Sequence, residues 1–222
     1  MKRQIGVKVV VVLLTISEGA LKTLLIRHDK QRWMLPSDTY SYNEPLEVAA
    51  QRAIGQQVGV KVDYLEQLYT FDYAPPSNSE RCIEVAYYGL IPSALLKSEQ
   101  LADRMTVKWF SEQEQPRLLE DHARIVQVSR ERLRGKLSYT AVGFELLPAK
   151  FSLAELQNLY EIIIGKVLDK RNFRKKIMEL GILEPTGEER NPERGRGRPA
   201  SLYRFKPEVF RQLETKGDIF PF

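Results

Sequence analysis

The sequence predicts an α+β protein built as two domains, residues 1–147 and 148–222. Three observations carry that expectation. Through the first part, β-branched and aromatic runs alternate with turn clusters, and only a few stretches have helical character. After Pro148-Ala149-Lys150 the hydrophobic period changes from strand-like to helical. The remainder then runs helix, turn, basic helix, strand, long basic loop, strand, which is the order of a winged helix-turn-helix.

A chain of 222 residues with 43% apolar content suits one large or two smaller globular domains. The net charge of +5 and pI near 9.2 favour a polyanionic partner, and where the charge clusters matters more than the total. Cys82 is the only cysteine, which excludes an internal disulfide framework and a cysteine zinc site; it reads as a small half-buried hydrophobe in a reducing cytoplasm. Two histidines, His28 and His122, leave little room for a histidine metal cluster, and neither metal nor cofactor is expected. Met1-Lys2-Arg3 followed by Val9 to Leu14 faintly mimics a signal peptide. Lys8 interrupts that run and Glu18 spoils a cleavage site, so a buried strand is the better reading. No stretch reaches the roughly 20 apolar residues of a membrane span.

Taken in order, Ile5 to Ile16 reads as a strand, Ser17-Glu18-Gly19 as a turn and Leu21 to Arg27 as a second strand, giving a hairpin. His28 to Gln31 is a polar turn. Pro45 suits a helix N1 position, and a helix from there to about Gln57 ends at Gly59, placed where a C′ glycine belongs. Lys61 to Tyr73 is β-rich, Ala74 to Ser79 is a loop, Cys82 to Ile91 is a strand and Val107 to Phe110 a short one. His122 to Arg134 is helical, with Ile125, Val128 and Leu133 as inward positions. Residues 134–148 form a connector.

The first motif spans Leu35 to Val60. Glu44, Arg52, Ile54, Gly59 and Val60 fall on the spacing G-x5-E-x7-R-E-U-x-E-E-x-G-U, where U is aliphatic, and Trp33-x-Leu35-Pro36 precedes them. This pattern resembles the Nudix box, which implies an α/β/α sandwich. Asp38 takes the place of the first glycine, and Ala53, Gln56 and Gln57 replace the three remaining glutamates. Positions 53, 56 and 57 share one helix face, at i, i+3 and i+4. In an active Nudix enzyme that face holds carboxylates for magnesium, which wants hard anionic oxygens. A glutamine carbonyl is a weak neutral ligand and alanine is none, so the box reads as structurally intact and catalytically void. Arg52 and Glu44 read as structural remnants, an ion pair.

The second motif is the basic face of the C-terminal part. Phe151-Ser152-Leu153-Ala154-Glu155 is a capping box opening a helix through Ile163 to Gly165. Asp169 caps a second helix, with Phe173, Ile177 and Leu180 on one stripe and Gly181 at its end. At 100° per residue, Arg171 and Lys175 lie nearly opposite that stripe, flanked by Asn172 and Arg174, and Lys170 and Lys176 widen the positive surface. Such a helix docks by its apolar side and offers cations to phosphates and Arg or Asn to base edges. Ile182-Leu183-Glu184 and Ser201 to Phe205 read as strands, with Pro185 to Pro199 as the loop between them. In that loop Arg194, Arg196 and Arg198 alternate with glycines, and arginine on a flexible wing can enter a narrow minor groove.

Residues Phe151 to Gln157, Leu168 to Lys176, Gly197 to Phe205 and the connector Glu131 to Thr140 resemble the Nudix-related (NrtR-like) transcriptional regulators of NAD metabolism, and the resemblance covers nearly the whole chain. It implies a Nudix-like domain that senses ADP-ribose or a related nucleotide and a winged helix that binds double-stranded operator DNA, as a homodimer on a palindromic site, repressing NAD biosynthesis or salvage genes. Arg27 for phosphate charge, Trp33 for stacking and Phe71 for a second aromatic wall are the candidate effector residues; core packing, and a surface cation for Arg27, are the ordinary alternatives. Many members carry a P-x-R-D-P-R-like segment after the Gln67 to Phe71 run, whereas here Ala74 to Arg81 follows. Two other functions stay open at this point. One is a Nudix hydrolase acting on ADP-ribose-type substrates through other carboxylates such as Glu44 or Glu47. The other is a nucleic-acid binder without sequence preference.

Overall fold

The structure is a computed structural model, which describes residues 5–41, 43–73, 81–97, 106–119, 121–191 and 199–216. The long β-branched run forms β1 (Gly6–Ser17), where the residues from Val9 to Leu14 are fully buried. It turns back at Glu18 and Gly19, both with positive φ, into β2 (Ala20–Arg27), pairing Leu14 with Thr23. Two short strands follow that the sequence did not announce, β3 (Trp33–Met34) and β4 (Ser37–Thr39). After helix α1 (Leu46–Gln57) come β5 (Tyr64–Tyr73), β6 (Cys82–Leu90), β7 (Val107–Ser111) and helix α2 (His122–Lys136).

One sheet joins these strands in the order β3-β2-β1-β6-β5, with β4 paired to β1 and β7 to β2. The β1–β6 pair is parallel, from Gly6 opposite Cys82 to Leu14 opposite Leu90, and the others are antiparallel. β1 is covered on both faces, which is why it reads as an unbroken apolar run rather than an alternating one. Val11 and Leu13 pack with Ala50, Ile54 and Val58 of α1, while Val9 packs with Ala49 and Ala53. From α2, Arg130 reaches Thr23 of β2. Pro45 stands at the N-cap of α1 rather than at N1, with its carbonyl accepting the Ala49 N–H. Gly59 takes φ 86° and closes the helix onto the Ile54 carbonyl. In α2, Ile125 and Leu133 are buried as expected, but Val126 and Ser129 are buried in preference to Val128.

Backbone contacts divide the chain into one unit of Met1–Ile91 with Leu95–Arg132 and another of Pro92–Ala94 with Leu133–Phe222. The division falls inside α2, ahead of the change of period near 147. The reason is aromatic packing: Phe144 stacks on Phe205 at 4.0 Å between ring centroids and lies 5.7 Å from Phe151, so the connector belongs to the second core.

In the second unit, the two-residue strand β8 (Phe151–Ser152) precedes α3 (Leu153–Ile164), α4 (Lys170–Glu179), β9 (Leu183–Arg190), β10 (Ala200–Phe205) and α5 (Pro207–Lys216). The three strands form a sheet in the order β8-β10-β9. The capping box is complete: Ser152 Oγ accepts the Glu155 N–H and Glu155 Oε2 accepts the Ser152 N–H at 2.7 Å. The loop expected over Pro185 to Pro199 is shorter than the sequence suggests, because β9 continues through Pro185 to Arg190, paired with Ala200. A proline within a strand is tolerated on an edge, and β9 is an edge strand. Neither α5 nor β8 was foreseen; Phe210 of α5 packs on Phe205.

Candidate functional site

At the Nudix-like box, α1, the short strand β4 and the turn between them bring the remaining charged residues Asp38, Glu44 and Arg52 together. Arg52 donates to Glu44 Oε1 at 2.7 Å and also to Asp38, so the expected ion pair is a three-residue cluster in which Asp38 joins from the position of the first glycine. The hydrogen bond to Glu44, and the charges of Asp38 and Glu44, hold the guanidinium pKa above its ordinary value. The other box positions diverge. Ala53 is fully buried against Val9 and Ala49, and Gln56 is exposed. Gln57 spends its amide on the backbone of Ser37, accepting its N–H and donating to its carbonyl. The two carboxylates that remain, Asp38 and Glu44, are both held by the one guanidinium of Arg52, and Gln57 is engaged elsewhere. This set does not fit magnesium, which takes hard anionic oxygens free to enter its octahedron, whereas both carboxylates here are already turned to a cation. Among the described residues, no group of three or more His, Cys, Asp or Glu side chains is placed to hold a metal ion.

The three candidate effector residues do not converge as one wall. Arg27 and Trp33 do meet: they are register partners on β2 and β3, with the guanidinium 4.6 Å over the indole ring and Phe110 edge-on to the same indole at 4.9 Å. Phe71 sits on β5, with β1 and β6 intervening, about three strand spacings or roughly 14 Å from β2. There Arg124 of α2 lies 5.6 Å over its ring. Between the two pairs is a buried polar group that sequence reasoning missed. His122 and Glu84 are 2% and 1% exposed, with Nε2 and Oε1 3.9 Å apart. His122 Nδ1 accepts the Leu35 N–H at 3.0 Å, so the neutral ring carries its proton on Nε2. Burial, with Lys8 and His28 nearby, pushes the His122 pKa down to about 4. The signals were present as the lysine breaking the β1 run and the glutamate in an otherwise apolar β6.

The candidate nucleic-acid interface is built on α4. Asp169 caps it by accepting the Asn172 N–H at 2.7 Å, and Phe173 and Ile177 anchor it in the core, while Leu180 is only partly buried. Lys170, Arg171, Asn172 and Lys175 are exposed, and Arg174 and Lys176 are half-buried. Among the described residues Lys175 has only a loose partner, Glu179 at 3.9 Å. Arg174 instead turns towards a cavity beside α3 and β10. Arg194, Arg196 and Arg198 lie outside the described residues. β9 and β10, which lead into and out of that loop, are described, and Arg190 at the end of β9 is tied to Glu155 at 2.5 Å.

A Nudix-like unit whose box lacks its metal ligands, followed by a winged helix with a solvated basic helix, defines a class of ligand-sensing DNA-binding proteins. Residues 143–205 match the NrtR DNA-binding winged helix domain. Over 199 residues the chain is 31% identical to the ADPR responsive transcriptional repressor NtrR of Acinetobacter baylyi, covering 86% of this chain and 78% of that one. The crystal structure of Shewanella oneidensis NrtR complexed with a 27mer DNA superposes with a TM-score of 0.80 at 30% identity, covering 92% and 95% of the two chains. A MutT/nudix family protein from Enterococcus faecalis, 22% identical, shares the fold with a TM-score of 0.72 over 93% and 90% of the chains. The chain belongs to the NrtR family of transcriptional regulators. Among the described residues, no helix is long and apolar enough to cross a membrane.

Proposed function

We propose that the protein is a repressor of NAD biosynthesis or salvage genes that acts in the cytoplasm as a homodimer and leaves its operator when ADP-ribose, or a closely related nucleotide, occupies the Nudix-like domain. The observation that carries this reading is α4, a helix pinned by Phe173 and Ile177 with Lys170, Arg171, Asn172 and Lys175 turned to solvent. Arginine and asparagine on such a helix can read base edges while lysines hold phosphates. The wing residues Arg194, Arg196 and Arg198 would add minor-groove contacts. Two relatives support the reading: the Acinetobacter protein is named as ADPR responsive, and the Shewanella protein was crystallised on DNA.

On the sensing side, Arg27 over Trp33 offers a cation beside an aromatic face for a nucleotide diphosphate, and Phe71 with Arg124 offers a second such pair. The domain binds without hydrolysing, because Ala53 and Gln57 are committed to packing and to Ser37, and Asp38 and Glu44 to Arg52. Effector binding need shift the DNA-competent population by only about 1–3 kcal/mol.

The test is fluorescence anisotropy with duplexes from upstream of the protein's own operon and of random sequence, with and without ADP-ribose, alongside chromatography for released AMP in magnesium. Tighter binding to the upstream duplex, lost on adding ADP-ribose without AMP release, is expected. Equal affinity for both duplexes would favour a non-specific binder, and AMP release at an ordinary enzymatic rate would favour a hydrolase.

A further inference from the structure

A cavity of about 480 Å³ opens in the second unit between the start of α3, one row of α4 and the beginning of β10. Its lining includes Ala154, Lys170, Arg174, Ser201 and Tyr203. Lys170 and Arg174 are four residues apart and so share a row of the helix, whereas Arg171 and Lys175 form the next row. The basic helix therefore carries two sets of cations with different surroundings.

Arg174 is the unusual member. It is half-buried, and among the described residues its Nε is shut off from solvent without a hydrogen-bond partner. Arg32, Arg52 and Arg190 each lie against a carboxylate, but Arg174 makes no ion pair among the described residues. A half-buried cation lacking a counter-charge is unfavourable unless a ligand brings one. The nearby carboxylate, Glu155, is already bound to the Ser152 N–H and to Arg190, so it leaves the cavity's charge uncancelled. The cap consumes the Glu155 N–H but not those of Leu153 and Ala154, two residues of the first turn of α3 that line the cavity. The residues that line it thus include two cations, the hydroxyl-bearing Ser201 and Tyr203, and the first turn of a helix, the positive end of its dipole. A tetrahedral oxyanion matches such a donor set, and the volume admits a phosphodiester together with its sugars.

We propose that Lys170 and Arg174, with Ser201 and the start of α3, seat one backbone phosphate of the bound duplex, which leaves Arg171 and Lys175 to face the groove. The proposal rests on the DNA-binding reading above and assigns the division of labour within it. A phosphate contact positions a protein without reading sequence, so its loss weakens all duplexes alike and removes one released counterion.

The experiment measures full-length wild type, Arg174→Gln, Lys170→Gln and Arg171→Ala on operator and random duplexes across a salt series. Arg174→Gln and Lys170→Gln should each weaken both duplexes by a similar factor, about tenfold at low salt, and lower the slope of log K against log salt by about 1. Arg171→Ala should weaken operator binding more than random binding. Lys170 is exposed, so its variant reports even if Arg174→Gln folds poorly. In the wild type, the Arg174 Nε–H resonance should shift on adding duplex. A shift with inorganic phosphate but none with duplex would assign the cavity to a free anion and overturn the proposal. So would unchanged salt slopes in both Gln variants while the wild type binds its operator. A wild-type chain that binds neither duplex would instead defeat the DNA-binding reading itself.

Discussion

Gln57 grips Ser37 by both polar groups of its backbone: Oε1 accepts the Ser37 N–H at 3.1 Å and Nε2 donates to the Ser37 carbonyl at 2.6 Å. A glutamate, which the Nudix template has at this position, could accept but not donate. The residue that would restore a metal ligand therefore breaks the bracket between α1 and β4. Gln57→Glu should lower stability by about 1–2 kcal/mol, read by urea denaturation, because the Ser37 carbonyl loses its donor. The variant should still release no AMP from ADP-ribose in magnesium, since Ala53 and Gln56 supply no further carboxylate.

His122 predicts an acid-side loss of stability. Its folded pKa of about 4 lies below the ordinary histidine value of 6.5, so protons bind the unfolded chain more tightly. The contribution is full above about pH 6.5, declines as pH falls towards 4 and levels off below that, costing roughly 3 kcal/mol in all. Lys8 and His28 add to the burial that disfavours the imidazolium, while Glu84 Oε1 stands 3.9 Å from Nε2. Denaturation midpoints between pH 7 and pH 4 check this. His122→Asn, which keeps an acceptor near the Leu35 N–H, should flatten that part of the profile.

Arg171→Ala should weaken operator binding by about 10- to 100-fold, the worth of one good base contact, and leave ADP-ribose binding unchanged. Anisotropy and calorimetry measure the two separately. Loss of both would show that the helix has a structural role its exposure does not suggest.

Two glycines should respond to alanine in opposite directions. A Cβ on Gly143 would stand 2.9 Å from Leu137 Cδ2, closer than real contacts come, and 3.1 Å from Leu159 Cδ2, a tight contact, so one of the two leucines must shift. Gly143→Ala should cost about 1–3 kcal/mol by overpacking. Gly55 lies on the exposed side of α1, where a Cβ would meet nothing within 4 Å among the described residues, and Gly55→Ala should stabilise by about 0.5–1 kcal/mol. Thermal melts of the two variants provide the comparison.

The long apolar strands, the caps at Ser152 and Asp169, and the polar and apolar sides of α4 were legible because each follows from local periodicity or a short side-chain-to-backbone pattern. The strands β3, β4 and β8 were not, since two or three residues carry no period and pair only because distant partners are present. The same limit explains the effector trio. Trp33 and Phe71 are aromatic residues of the kind such a pocket uses, but their separation depends on the strand order β3-β2-β1-β6-β5, which no spacing encodes. The engagement of Gln57 by Ser37 and of Leu35 by His122 was hidden for that reason, each being a contact between side chain and backbone across the fold. Arg174 shows the finer limit: a helical wheel places it among the cations of α4 but cannot show the cavity it borders.

Pro185 has a consequence for association. Among the described residues β9 pairs with β10 alone, so its other side would ordinarily offer a ladder of amides to any extended peptide. Pro185 supplies no amide hydrogen, and Glu184, Glu188, Glu189 and Arg190 line the strand with exposed charge. A second chain approaching that side meets an interrupted ladder and ionised side chains that must be stripped of water. The β9 edge thus resists nucleating intermolecular β-structure even at high local concentration.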